Sequence, residues 1–256
     1  LSALMRTYEQ TMNVGKDEDV EWSVVANGGM VPIALEIARR YMDVSENKES
    51  ESSFFRAPLR NLVLSATPRA ESLLKSQNVE KVRKSYKTLS GTVGRLFWWY
   101  SLSRSGAFIQ NFSEKNLASK PENLGSSWTP KCLETAKAFG GKSRFSTFAF
   151  LAGSLNGGSA NRLDVLKESS CDLRVDVITG GDRKMNPAKS WFWERRPKDD
   201  AKENIATPPV EKTSLVSLFE ENGMDCKEIT VGGRRMPAHE DSTGFAIALM
   251  ELLEAV

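Results

Sequence analysis

The chain has 256 residues, of which 40% are hydrophobic and 27% charged, ordinary values for a globular protein with a sizeable core in one or two domains. A formal net charge of +2 supplies no bulk attraction for nucleic acid or acidic lipid. No run of about 18 apolar residues marks a transmembrane helix, and Cys132, Cys171 and Cys226 are odd in number, far apart and in no metal-ligand spacing, so they read as thiols.

No signal-peptide pattern opens the chain, which starts at Leu1 rather than methionine. Residues 1–13 place Leu1, Leu4, Met5, Tyr8 and Met12 at helical spacing and predict an amphipathic helix. A charged loop follows, then the apolar run Trp22 to Ala26, expected to be a buried strand. Asn27, Gly28 and Gly29 predict a tight turn. The segment MVPIALEIARRYM is expected to be a helix, with Pro32 in its first turn, where a missing N–H costs least. Residues 45–53 are polar and predict a loop. Arg60 to Ala66 form a second expected strand, continuously apolar at its centre, as when helices cover both faces of a sheet.

From about 69 to 170 no strand pattern emerges, and four or five helices are expected. This stretch holds the aromatic cluster Phe97, Trp98, Trp99 and Tyr100. The cluster suits packing of a helix onto the core, with contact to a membrane surface or a partner as the alternative. A third strand is expected at Leu173 to Thr179, ending in Gly180, Gly181 and Asp182. A polar loop at 195–212, a helix at 213–223, a fourth strand at Asp225 to Val231, a loop at 232–241 and a closing helix at 242–255 complete the chain. Strands alternating with helices predict a parallel sheet whose carboxyl ends gather Gly28, Thr67, Asp182 and the 232–241 loop on one rim.

The stretch VVANGGMVPIALEIARRY resembles the nucleophile elbow of the α/β-hydrolase superfamily, a strand, sharp turn and helix of G-x-S-x-G form. In this alignment Gly28 occupies the nucleophile position, Ala26 the first glycine and Met30 the last. RNLVLSATP is similar to the strand that follows the elbow. LRVDVITGGD is similar to the strand leading to the triad acid, which places Asp182 there. RFSTFAFLAGSLN and PAHED resemble a plant and cyanobacterial branch. The resemblance implies an α/β-hydrolase core at 1–68 and 171–256, with a helical cap at 69–170. It puts Arg235 in the histidine position, with His239, the sole histidine, as the alternative. It also assigns one oxyanion-type backbone donor to Gly29.

Glycine has no atom with which to attack an acyl carbon, so the resemblance carries the fold further than the activity. The other residues at these positions have bland roles as well. Asp182 suits a turn or helix N-cap, and His239 suits an exposed loop. Gly157, Gly158, Gly180 and Gly181 make no phosphate-binding pattern, so nucleotide binding has no support; with the near-neutral charge and the cysteine spacing, no cofactor, nucleic acid or metal is expected. Trp191, Phe192 and Trp193 are a second candidate partner patch, equally suited to packing on the sheet.

About 20 residues precede the elbow strand, so about four strands are expected and the elbow strand becomes an edge. Folded proteins cover such edges, which implies either a longer chain or another polypeptide. The expectation is a non-catalytic binding or structural component, with room for a small-molecule ligand in a cap pocket. The alternative is an active hydrolase on an ester or similar small substrate, using an unrecognised nucleophile or an activated water. The photosynthetic branch favours a plastid over a mitochondrion or the cytoplasm.

Overall fold

The computed structural model describes residues 21–46, 58–67, 73, 78–102, 104–138, 145–146, 149, 173–181, 215–221, 224 and 226–254. The helix expected at 1–13, most of the 144–156 run, Cys171, Asp182, and the segment from Trp191 through the 195–212 loop lie outside them.

Four parallel strands form one sheet in the order β1 (Trp22–Asn27), β2 (Leu59–Ser65), β3 (Arg174–Gly180), β4 (Glu228–Val231). The register sets Asn27 beside Ser65, Ser65 beside Ile178, and Ile178 beside Ile229. A short 3-10 turn, Gly28–Met30, leads from β1 into α1 (Val31–Glu46).

Helices described between β2 and β3 include α2 (Val79–Ser90), α3 (Thr92–Phe97), α4 (Gly106–Phe112) and α5 (Trp128–Lys137). A π-turn at Trp98–Leu102 extends α3, and another at Ser113–Leu117 extends α4. Asn78 Oδ1 accepts the Lys81 N–H at 2.8 Å and Ser105 Oγ accepts the Phe108 N–H at 3.1 Å, which starts α2 and α4 with side-chain caps. The rings of Phe97 and Phe108 meet edge to face at 5.8 Å, joining α3 to α4. The remaining helices are α6 (Leu215–Glu221), α7 (Pro237–Glu240) and α8 (Ser242–Glu254).

The core has two layers. On one sheet face, Val31, Leu35 and Ala38 of α1 and Phe219 of α6 bury against Leu62, Leu64, Val175 and Val177. On the other, Ala248 and Leu252 of α8 cover Val63, Ile178 and Val231. Covered on both sides, β2 is buried from Asn61 through Ser65, which accounts for its unbroken apolar centre. Each fully buried leucine here contributes about 1.5–3 kcal/mol of transfer free energy.

Among the described residues β1 is an outer strand of the sheet. Val25 and Val63 are register neighbours on the same face, yet Val25 is 44% exposed and Val63 fully buried. Ser23 and Asn27, which share that face of β1, are exposed as well.

Three boundaries differ from expectation. Helix α1 continues to Glu46, into the start of the polar stretch expected to be loop. β4 begins at Glu228 rather than Asp225, because the Lys227 N–H donates to the Asp176 side chain at 2.9 Å instead of joining the ladder. The 232–241 segment is not all loop: Pro237 opens the one-turn helix α7, where its missing N–H is harmless.

Candidate functional site

Because all four strands run in the same direction, their carboxyl ends lie along one edge of the sheet. There β1 is followed by Gly28, β2 by Ala66, β3 by Gly181 and β4 by Gly232. In open α/β sheets this is the edge where ligands bind.

Gly28 has φ +55°, the left-handed conformation in which a turn presents its central side chain. Among the described residues, a Cβ built on it would meet only the Ala66 carbonyl oxygen, at 3.9 Å. The turn therefore has a left-handed central residue that, among the described residues, leaves space for a side chain but supplies none. Met30, which closes this turn, points partly into solvent, 45% exposed. Beside it, Ala66 is itself left-handed, with φ 47°. A residue with a Cβ holds this conformation at a cost of about 1–2 kcal/mol, so the end of β2 carries backbone strain at the rim.

A second junction joins the ends of β3 and β4. The Gly181 N–H donates to the Val231 carbonyl at 2.8 Å. A Cβ on Gly180 would overlap the carbonyl oxygen of Arg234. Only glycine lets the two loops approach this closely.

The third junction fastens the 232–241 segment to the helical insert. Glu240 is 8% exposed, and its Oε2 accepts the Ser119 N–H at 2.6 Å, the Ser119 hydroxyl at 2.8 Å and the Lys120 N–H at 3.2 Å. Its Oε1 accepts the Arg234 N–H at 2.7 Å. Its backbone carbonyl accepts from Asn123 Nδ2 at 3.2 Å. The Arg235 N–H donates to the Leu117 carbonyl at 3.1 Å, and Arg234 Nη1 to the Lys115 carbonyl at 3.3 Å. One carboxylate and two arginines thus tie the core to the insert.

The sequence-predicted site residues fall within this frame as follows. Gly28 and Gly29 form the turn after β1. Arg235, in the histidine position of the resemblance, is half-buried and its backbone faces the insert. His239 sits in α7, exposed, with its ring edge-on to Trp128 at 5.2 Å. Trp128 Nε1 in turn donates to Ser113 Oγ at 2.9 Å. Asp182 lies outside the described residues.

Glu240 is the site-rim residue that sequence reasoning missed. In PAHED it stands between His239 and Asp241, and nothing in its type or spacing separates it from a solvated acid. Asp241 is a cap: its Oδ1 accepts the Gly244 N–H and its Oδ2 the Gly232 N–H, both at 2.9 Å. These backbone donors hold its carboxyl below the usual carboxylate range. Among the described residues, no group of three or more His, Cys, Asp or Glu could hold a metal ion.

A parallel sheet covered by helices on both faces, with a sharp turn after β1 and a helical insert between β2 and β3, has the α/β-hydrolase fold. One solved structure supports this fold. The epoxide hydrolase CorEH aligns with a TM-score of 0.50 and 11% identity, over 97% of this chain and 72% of that one. Cfl2 from Burkholderia cenocepacia aligns with a TM-score of 0.49 and 13% identity, over 98% of this chain and 69% of that one. No protein-family model matches the sequence, and no curated protein matches it.

Proposed function

We propose that this chain is a non-catalytic α/β-hydrolase-fold protein that serves as a binding or structural component, within an organellar assembly. The observation that carries this reading is Gly28. Its φ of +55° keeps the conformation of a nucleophile turn, while the residue offers no oxygen or sulfur to attack a substrate. Arg235 in the histidine position, with its backbone committed to the insert, and an exposed His239 against Trp128 support the same conclusion. The Gly29 N–H, at the start of the helical turn leading into α1, suits a polar group of a ligand rather than an intermediate.

The outer position of β1, with Val25 exposed, supports a further polypeptide segment covering this edge in the working assembly.

The test is activity itself. The purified chain is expected to show no turnover of a generic nitrophenyl ester or of a simple epoxide, and no labelling by a fluorophosphonate probe. The epoxide belongs in the panel because CorEH is titled an epoxide hydrolase. Labelling of one specific serine, or turnover abolished by His239→Ala or Asp182→Asn, would establish the active-hydrolase alternative.

A further inference from the structure

The helical insert carries an apolar face turned to solvent. In the helix formed by α3 and its π-turn, Phe97 and Trp98 point inward: Phe97 meets Phe108, and Trp98 meets Phe145 edge to face at 6.0 Å. The other aromatics of the cluster point out. Val93 is 73% exposed, Leu96 51%, Trp99 48% and Tyr100 62%. Their spacing along the helix sets them on one side, as a single stripe. Val79 and Tyr86 of α2 are also exposed, so among the described residues six of the ten exposed large apolar side chains lie within residues 79–100. This concentration is unlike the single scattered apolar residues of an ordinary surface.

Charge is concentrated in the same place. Residues 78–104 hold Lys81, Arg83, Lys84, Lys87, Arg95 and Arg104, all exposed, against the single acid Glu80. That is a net +5 in a chain whose total is +2, so the remainder is acidic overall and the basic charge is local. Arg104 lies over the Trp99 ring, 4.2 Å from its centroid, joining one of these cations to the apolar stripe.

From this juxtaposition we infer that the outer face of α2 and α3 binds the surface of an anionic phospholipid membrane. The aliphatic and aromatic stripe enters the interfacial region, and the surrounding lysines and arginines meet lipid phosphates and carboxylates. Trp and Tyr suit this depth because one end of each ring system is apolar and the other polar. Lysine is depleted in protein–protein contacts but enriched on the polar face of interfacial helices, and α2 carries Lys81, Lys84 and Lys87 at exposed positions. Among the described residues no helix is long and apolar enough to cross a membrane, so the contact is with its surface.

The experiment is co-sedimentation of the full chain with phosphatidylcholine vesicles, with and without phosphatidylserine. Binding is expected only with phosphatidylserine, falling at least about tenfold between roughly 0.1 and 0.5 M salt as the charges are screened. The triple variant Lys81→Gln/Arg83→Gln/Lys84→Gln should lose about fivefold per charge removed. Trp99→Ala/Tyr100→Ala should also release the protein, with its circular dichroism spectrum unchanged. The inference is overturned by absence of binding to phosphatidylserine vesicles at low salt, by equal binding to pure phosphatidylcholine, or by unchanged binding in both folded variants. Self-association without lipid that Trp99→Ala/Tyr100→Ala abolishes would assign the face to a second copy, and would also overturn it.

Discussion

The carboxylate of Glu240 accepts both the backbone N–H and the hydroxyl of Ser119, at 2.6 and 2.8 Å, across 121 residues of sequence. This contact holds the loop after β4 against the helical insert and so sets the shape of the rim. Because Glu240 is buried, removing it leaves the N–H groups of Ser119, Lys120 and Arg234 without their acceptor. Glu240→Ala is expected to lower unfolding free energy by about 2–4 kcal/mol in a urea titration. Glu240→Gln, which keeps one acceptor oxygen, should lose less. Equal stability of all three proteins would show that the clamp is dispensable.

Two rim glycines are expected to respond differently to alanine. At Gly180 the new Cβ would overlap the backbone of Arg234, which cannot rotate away, and a loss of about 2 kcal/mol or more is expected. At Gly28 the space is open and only the positive φ is strained, so Gly28→Ala or Gly28→Ser should cost about 1 kcal/mol and leave a folded protein. Denaturant midpoints of the variants measure this; a larger loss at Gly28 would contradict the packing described.

Asp241 predicts an acid-sensitive start to α8. Its folded-state pKa is lowered, chiefly by the Gly244 N–H and then by that of Gly232. A depressed carboxyl contributes stability that is fully present above the unfolded pKa. That contribution is lost as pH falls through the lower, folded value. Asp241→Asn should therefore flatten the fall in melting temperature on acidification, with its largest difference from the parent at neutral pH. An unchanged pH profile would show that the cap does not contribute.

The outer strand predicts a pattern of hydrogen exchange. Among the described residues, β2 and β3 have strand neighbours on both sides, whereas β1 has one. In the isolated chain, the amides of β1 that face away from β2 should exchange at least about tenfold faster than those of β2. Protection of β1 matching that of β2 would mean that its edge is already covered.

Much of the fold was legible in the sequence, because a parallel strand buried on both faces must be apolar along its length and a helix after it must begin with a turn. The runs Trp22 to Ala26, Arg60 to Ala66 and Leu173 to Thr179 carry that signal, and the structure places strands on them. The start of β4 was less legible, since a side chain on another strand, Asp176, takes the Lys227 N–H and ends the ladder there. The aromatic cluster was ambiguous for a related reason: a run of four aromatics does not record which of them meets Phe108 and Phe145 and which meets solvent.

By itself, the sequence determined that the turn after β1 carries no nucleophile. Glycine at position 28 lacks a reactive atom in any fold, and no tertiary contact can supply one. Only the tertiary structure decided that the turn nevertheless keeps its left-handed conformation, that Ala66 shares it, and that Glu240 fastens the rim to the insert. Those properties depend on register and close approach between segments distant in the chain, which side-chain chemistry read one residue at a time does not encode.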